Sequence, residues 1–127
     1  MRYFRETDTT PAHYDCIVTG DLGYEGASIL SSLMQAEGFP MEERYTDCGA
    51  LIYDRKGQDV HCGGSGCGCS SVVLASYLLP RLVSGEWKRI LFLATGAMMS
   101  PDSIKQGQSI PAVAHLLEIV CDAGEGR

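Results

Sequence analysis

The sequence predicts an α/β protein in which helices are layered on a mixed β-sheet. Two observations lead to this fold class. Short runs of β-branched and other apolar residues, typical of buried strands, alternate with longer stretches that carry apolar residues at helical spacing. The length of 127 residues fits one domain, so residues 1–127 are expected to form a single unit.

The first predicted elements are the end of a helix and a strand. Met1, Tyr3 and Phe4 have helical spacing but no N-cap precedes them, so residues 1–13 are predicted to be the end of a truncated helix followed by a linker. Residues 14–21, "YDCIVTGD", have a β-branched apolar centre and close on Gly-Asp. This pattern predicts a buried strand.

Residues 24–38 predict a complete helix that stops at Gly38. A second strand is expected at residues 48–53, followed by a turn at 55–59 and a return strand that begins at 60–62. The buried face of the helix is predicted to carry Ile29, Leu30, Leu33 and Met34.

Residues 69–85 predict the next helix, with Gly85 as its cap. Pro80 is expected to bend this helix or to open its last turn, because proline lacks the N–H that a helix interior requires. The residues predicted to share one face are Val72, Val73, Ser76, Leu79, Leu82 and Val83.

The last third of the chain contains the clearest strand. Residues 87–96 have an unbroken apolar centre, which predicts a central strand. Residues 97–111 form a long loop of the kind that usually carries function, residues 112–120 predict a final strand, and residues 121–127 a flexible tail.

Composition and charge exclude several classes of protein. The net charge of −6 and the absence of a basic stretch argue against a nucleic-acid partner. No apolar run approaches the roughly 20 residues of a membrane span. The N-terminus lacks the apolar core of a secretory signal peptide. The six cysteines are therefore expected to be reduced thiols rather than a disulfide framework.

The stretch "VHCGGSGCGCSS" poses the main functional question. The spacing of Cys62, Cys67 and Cys69 matches neither structural zinc sites nor the common iron–sulfur runs, so no metal is expected. Cys67 or Cys69 would gain thiolate character at the start of a helix. A working nucleophile also needs a base within reach, and His61 is the nearby candidate.

The glycines of this stretch allow a third interpretation, a backbone cradle for a ligand. Glycine permits a tight strand-to-helix turn, and N–H groups at the start of a helix favour an anion such as a carboxylate. The segment lacks the Gly-Lys-Ser/Thr ending of a P-loop. The pair Asp47-Cys48 is a second candidate, in which Asp47 is either a pocket residue or a turn aspartate that caps local backbone.

Several segments together resemble the stage V sporulation protein AD family. They are "YDCIVTGDLGYEG", "TDCGALIYD" and the run from "GGSGCGCS" through "GEWKR" and "ATGAMMSP", and the resemblance extends over about residues 14–119. It implies a thiolase-like fold, built from two similar halves that each contain a mixed sheet of five strands. This chain resembles the second half only, so the expectation is a thiolase-like half-domain with five strands or nearly five.

The resemblance also implies a function. The family is associated with uptake of dipicolinic acid into the developing spore, with its release in germination, and with membrane-embedded sporulation proteins of the same operon type. The implied ligand is dipicolinic acid, with or without calcium, and the implied location is the spore or forespore, either soluble or peripheral to the inner spore membrane. The ligand-binding residues that the resemblance implies are Asp47 and Cys48. The backbone N–H groups of the glycine-rich stretch are expected to meet the ligand as well, at Gly64, Ser65 and Gly66.

Departures from the condensing enzymes of this fold argue against catalysis. Those enzymes keep their nucleophilic cysteine in the first half, and their second half provides a histidine in one or both of two places. In the turn at residues 19–21 this histidine is missing, and in the glycine turn the match does not assign the role to His61. Function is determined by the site rather than by the fold. We therefore expect a binding protein with no catalytic residue and no cofactor.

Three other interpretations stay open at this stage. They are an acyl-transferring or condensing enzyme that uses a cysteine of the glycine turn, a redox or metal module, and a half-domain that serves assembly only. A half-domain exposes apolar surface, so a homodimer is expected in which a second copy replaces the missing half.

A dianionic ligand close to the Asp47 carboxylate would be repelled by on the order of 1 kcal/mol. The repulsion is avoided if Asp47 accepts hydrogen bonds from backbone donors and only shapes the pocket. It is also avoided if Ca²⁺ bridges the ligand and the carboxylate.

Overall fold

A computed structural model of the chain describes residues 1–62, 68–94, 96, 100–110 and 112–121. Within these residues one sheet has the strand order β2-β1-β3-β4. The strand β1 pairs in parallel with both β2 and β3, whereas β4 is antiparallel to β3. The α/β class with a mixed sheet is confirmed, with four strands in the described residues rather than five. The strands are β1 (Cys16–Thr19), β2 (Tyr45–Asp47), β3 (Arg89–Leu93) and β4 (Leu116–Val120).

Helices cover both faces of this sheet. The helices α1 (Arg2–Thr7) and α2 (Gly23–Ala36) flank one face. The other face packs against a helical rod made of α4 (Cys69–Val73), a π-helical segment (Leu74–Leu78) and α5 (Leu79–Val83). Two short helices, α3 (Cys48–Ile52) and α6 (Pro101–Lys105), complete the described helices, and 3₁₀ turns occupy Pro11–His13 and Glu42–Arg44.

All four residues of β1 are buried, because the strand contributes side chains to both faces of the sheet. Cys16 and Val18 join the cluster beneath the helical rod, whereas Ile17 joins the cluster beneath α1 and α2. The same alternation in β3 sends Ile90 and Leu91 to opposite clusters. This is the pattern of central strands in a sheet that is covered on both sides.

The strand predicted at residues 48–53 is wrong. Residues Cys48–Ile52 form α3, and the strand precedes them at Tyr45–Asp47. Asp47 has extended backbone and its side chain accepts a hydrogen bond from the Ala50 N–H, which is the geometry of a helix N-cap. This cap outweighs the β propensity of the apolar residues that follow.

The return strand predicted at 60–62 is also wrong, because none of these residues belongs to a strand. The carbonyl oxygen of His61 instead accepts a hydrogen bond from the Glu25 N–H at 3.4 Å. The contact holds the start of the glycine-rich segment against the first turn of α2.

The helix predicted at 24–38 is confirmed, and Gly38 follows its end with a φ of +82°. The predicted buried face is only half correct. Met34 is buried and Leu30 packs on the same cluster, but Ile29 and Leu33 are 62% and 54% exposed. The stripe that faces the sheet is therefore narrower than the four predicted residues.

The irregularity near Pro80 lies before the proline rather than in the last turn of the helix, because a π-helical segment directly precedes the α-helical turn that contains this proline. A π turn removes the i−4 carbonyl from the position where the proline ring would clash with it. The predicted face of this helix is wrong in part. Val73 and Leu82 are buried, but Val72, Leu79 and Val83 are exposed.

The central strand predicted within residues 87–96 is confirmed as β3, and the final strand is shorter than predicted, at Leu116–Val120. The predicted loop contains the short helix α6, while residues 97–99 and 111 lie outside the described residues. The predicted tail lies outside them from residue 122 onward.

Among the helices of the described ranges, none combines the length and apolarity needed to span a bilayer.

Candidate functional site

The candidate site lies at the carboxyl edge of the sheet, where β1 and β2 end side by side. Thr19 is the register partner of Asp47 across these parallel strands. The helix α3 begins directly after Asp47, and α2 begins four residues after Thr19. Ligands of open α/β sheets bind outside the carboxyl ends of the strands, so this edge is the place to look for a site.

The Asp47 carboxylate is 1% exposed and accepts four hydrogen bonds. Its Oδ2 atom accepts from the Thr19 hydroxyl at 2.6 Å and from the Leu22 N–H at 2.8 Å. Its Oδ1 atom accepts from the Gly23 N–H at 2.9 Å and from the Ala50 N–H at 3.2 Å. A carboxylate has about four acceptor sites, so this set of donors saturates it.

The position of Asp47 also compensates its negative charge. The carboxylate sits at the amino ends of both α2 and α3, where unpaired N–H groups give each helix a partial positive charge. Within the described residues, three backbone N–H groups and the Thr19 hydroxyl hold this buried anion without a lysine or an arginine. This arrangement corresponds to the sequence-based alternative in which Asp47 caps local backbone.

Thr19 extends this cluster to Tyr45. The Thr19 hydroxyl hydrogen is used by Asp47, so the Tyr45 hydroxyl donates to Thr19 Oγ1, over a distance of 2.7 Å. Burial raises the pKa of Tyr45 to about 12. Sequence reasoning missed both residues as site components, although Tyr45 lies two residues before Asp47 and hence on the same face of β2.

Gly49 is required by the close approach of a second carboxylate. A Cβ atom at this position would lie 2.1 Å from Asp21 Oδ1 and 3.1 Å from Asp47 Oδ1. Any larger residue at position 49 would have to displace Asp21, whose side chain follows β1. The "DCG" motif thus combines a capping carboxylate, a core thiol and a glycine that admits Asp21.

The Cys48 thiol points into the core. Cys48 is 0% exposed and belongs to the same buried cluster as Cys16 and Cys69. Burial, followed by the nearby Cys69, raises the pKa of Cys48 to about 12, and burial raises the pKa of Cys16 to about 11. These thiols are protonated at neutral pH and are poor nucleophiles.

His61 and Cys62 lie on the surface. The His61 ring is 2.8 Å from an Asp59 carboxylate oxygen, with 74% of the His61 side chain exposed. Cys62 is exposed as well. His61 thus approaches the site through its backbone carbonyl, and its imidazole pairs with a neighbouring aspartate.

The three predicted cradle residues Gly64, Ser65 and Gly66 lie outside the described residues, as does Cys67. The residues that flank them converge on the site. On one side the His61 carbonyl bonds to the first turn of α2, and on the other Cys69 packs in the cluster that contains Cys48. Within the described part of the chain, no group of three acidic, cysteine or histidine side chains is placed to hold a metal ion.

Comparison with known proteins agrees with this architecture. The mixed sheet covered by helices on both faces, with a capped carboxylate at its carboxyl edge, is that of an α/β protein and broadly fits a thiolase-like fold. The sequence model described as stage V sporulation protein AD (SpoVAD) matches residues 1–120. The chain therefore belongs to the stage V sporulation protein AD family, a family of sporulation proteins.

A curated relative, stage V sporulation protein AD of Bacillus subtilis (strain 168), is 40% identical over 114 residues. The match covers 90% of this chain and 33% of the relative. The chain thus spans about a third of the length of that protein.

Proposed function

We propose that this chain is part of a non-catalytic protein of sporulation that binds dipicolinic acid, for its uptake into the developing spore and its release in germination. Membership of the sporulation family supports the biological setting. The observation that carries the binding proposal is the state of the Asp47 carboxylate, which is buried, saturated by four donors and held at two helix ends.

This state of Asp47 removes the electrostatic objection to a dianionic ligand. The charge of Asp47 is already balanced by the amino ends of α2 and α3, so a second anion nearby is repelled less than it would be by a free carboxylate. Both oxygens have used their acceptor sites, so a Ca²⁺ bridge through Asp47 would have to break existing hydrogen bonds. We therefore propose that the ligand binds without calcium coordinated by Asp47.

Asp47 and Cys48 then act as positioning residues behind the pocket. Asp47 ties the ends of β1 and β2 to the starts of α2 and α3, and Cys48 anchors α3 in the core. The proposed contacts with the ligand carboxylates come from the backbone N–H groups of Gly64, Ser65 and Gly66. N–H groups in a glycine-rich turn before a helix suit this role.

Two features of the described residues support a non-catalytic function. Cys48 and Cys69 are 0% and 2% exposed, which keeps both thiols away from a substrate in solvent. The His61 imidazole pairs with Asp59 on the surface. A cysteine nucleophile needs an adjacent base to form its thiolate, and the imidazole nearest in sequence to these thiols, that of His61, bonds to Asp59.

Titration calorimetry of the chain with dipicolinate tests this proposal. We expect binding, equal affinity with calcium and with a chelator, and at least tenfold weaker binding of picolinate, which lacks one carboxylate. A Gly66→Val variant should lose affinity because it adds a branched side chain to a stretch proposed to bind through its backbone N–H groups, whereas Asp59→Asn, at a 96% exposed position, should bind normally. If the chain does not bind dipicolinate, the proposal that it contributes to the dipicolinate site is wrong. If it hydrolyses acyl-CoA, the alternative of an acyl-transferring or condensing enzyme is favoured.

We also propose that two copies of the chain associate through the outer face of the helical rod. Val72, Leu79 and Val83 are 58%, 38% and 84% exposed on this face. A helix that is apolar on both faces is normally buried on both. The residues Cys69–Val83 include no acidic residue and one cation, Arg81, which stacks on Tyr77 and pairs with Glu86. The outer faces of two copies can therefore pack against each other without bringing unpaired like charges together.

Membrane-embedded sporulation proteins are the remaining proposed partners, and they would place the chain at the inner membrane of the spore or forespore. Flotation of the purified chain with inner-membrane vesicles from spores tests this placement. Vesicles from vegetative cells are the matched control, and equal recovery with both would contradict it.

A further inference from the structure

A cavity of about 90 Å³ lies between α1, α2 and the sheet, on the face opposite the helical rod. Its lining is formed by apolar and aromatic side chains, apart from Thr19. Met34, Met41 and Leu91 are buried parts of this lining, while Met1, which is 43% exposed, lies at its outer limit. The lining of the cavity is therefore mainly apolar and extends to a half-exposed methionine.

Two side-chain hydroxyl groups line the cavity among the described residues, and both are already hydrogen-bonded. The Thr19 hydroxyl bonds to Asp47 and Tyr45, and the Tyr3 hydroxyl lies 3.1 Å from that of Tyr14 and 3.0 Å from a Glu118 oxygen. A water molecule needs two to four polar partners to be stable in a cavity. Because both hydroxyls are already hydrogen-bonded, a water molecule in the cavity would find few polar partners, and an apolar occupant is favoured.

We propose that this cavity is a binding site for a small, uncharged, apolar molecule. Each water occupies about 30 Å³ of the liquid, so the volume corresponds to roughly three heavy atoms, as in a short alkane or alkene. A dry engineered cavity of about 150 Å³ binds benzene, so the smaller volume here favours a smaller occupant. The site is distinct from the proposed dipicolinate pocket, because that ligand is a dianion, whereas the described side chains that line this cavity are apolar or aromatic apart from Thr19.

The lining provides its own reporters for a test. In the chain labelled with ¹³C at methionine and isoleucine methyl groups, xenon under pressure should shift the Met34 and Met41 resonances in a saturable manner. The Ile29 methyl group should not move, because Ile29 is 62% exposed on the outer side of α2. Benzene should leave the Met34 and Met41 resonances unchanged.

Two tryptophan variants sharpen the experiment. Leu30→Trp adds bulk at the lining and should abolish the xenon-induced shifts, whereas Leu33→Trp, at a 54% exposed position of the same helix, should preserve them. If Leu30→Trp fails to fold, the unmodified chain still decides the question. Unchanged Met34 and Met41 resonances under xenon, equal shifts at Ile29, or equal shifts with benzene would each overturn the proposal.

Discussion

Thr19 and Asp47 face each other across the parallel strands β1 and β2, and the Thr19 hydroxyl donates to the Asp47 carboxylate at 2.6 Å. This hydrogen bond joins the two strand ends from which α2 and α3 start. The carboxyl edge of the sheet is thus organised around one buried anion, and changes to its donors should affect the stability of the fold.

Thr19→Val should lower the free energy of unfolding by about 2 kcal/mol, because it removes a hydrogen bond to a buried charge and leaves the Tyr45 hydroxyl without its acceptor. For a chain of this length such a loss corresponds to a decrease in Tm of roughly 7 °C. Thermal unfolding followed by circular dichroism measures it. Thr7→Val is the matched control at an exposed position, and an equal effect of both changes would contradict the special role of Thr19.

Gly49→Ala should destabilise the chain by about 2 kcal/mol or more, since the new methyl group would overlap Asp21 Oδ1. Gly68→Ala makes the same chemical change at a position where a Cβ atom meets nothing within 4 Å. This control should stay within about 0.5 kcal/mol of the original chain. Denaturant unfolding of both variants compares the two positions, and equal midpoints would show that Asp21 moves aside without cost.

Alkylation of the folded chain should distinguish its cysteines. Cys62 is exposed and should react with iodoacetamide within minutes, whereas Cys16, Cys48 and Cys69 are buried and should react only after unfolding. Peptide mass spectrometry at several times measures the four rates. Rapid labelling of Cys48 or Cys69 in the folded chain would contradict the non-catalytic proposal.

Stability should fall as the pH rises from about 9 to 12. The folded-state pKa values of Cys16 and Cys48 are raised from 9.0 to about 11 and about 12, and that of Tyr45 from 10.0 to about 12. Above pH 9 the unfolded chain releases these protons before the folded chain does, so the stabilisation present at neutral pH is lost through this window. Denaturant midpoints measured from pH 7 to 11 test the sign, and a midpoint that rises with pH would refute it.

Val83→Glu should convert a dimer into a monomer. Val83 is 84% exposed on the outer face of the helical rod, and a symmetric interface would bring two new carboxylates into an apolar contact. Sedimentation velocity measures the change in mass. Leu33→Glu, at a 54% exposed position of α2, is the control that should leave the dimer intact. A monomer before any substitution would rule out this mode of assembly.

The sequence predicts the layers of this fold better than the local structure of its site. The strands at residues 14–21 and 87–96 could be predicted because burial on both faces produces unbroken apolar runs. The helix at Cys48–Ile52 could not be predicted from apolarity, because its start depends on a hydrogen bond from the Ala50 N–H to Asp47. Sequence analysis singles out Asp47, but the donors to its carboxylate come from three separate elements, a relation that sequence spacing does not contain.

The error in the predicted face of the helical rod has a specific cause. Its buried residues are Cys69, Val73, Leu78 and Leu82, which are spaced by four, five and four positions. A regular α-helix would place the third of them at residue 76 or 77. The π-helical segment at Leu74–Leu78 adds one residue to that turn and shifts every later position of the buried face.

The wide turn at Leu74–Leu78 also bears on how this helix tolerates changes of length. One residue more or less elsewhere in a helix swings everything downstream through about 100° and turns the core side outward. In this helix the additional residue is accommodated in the wide π turn, so the residues before and after that turn both stay packed against the sheet. Homologues whose helix differs in length by one residue should have the insertion or deletion at this turn, where a change in length disturbs the packing least.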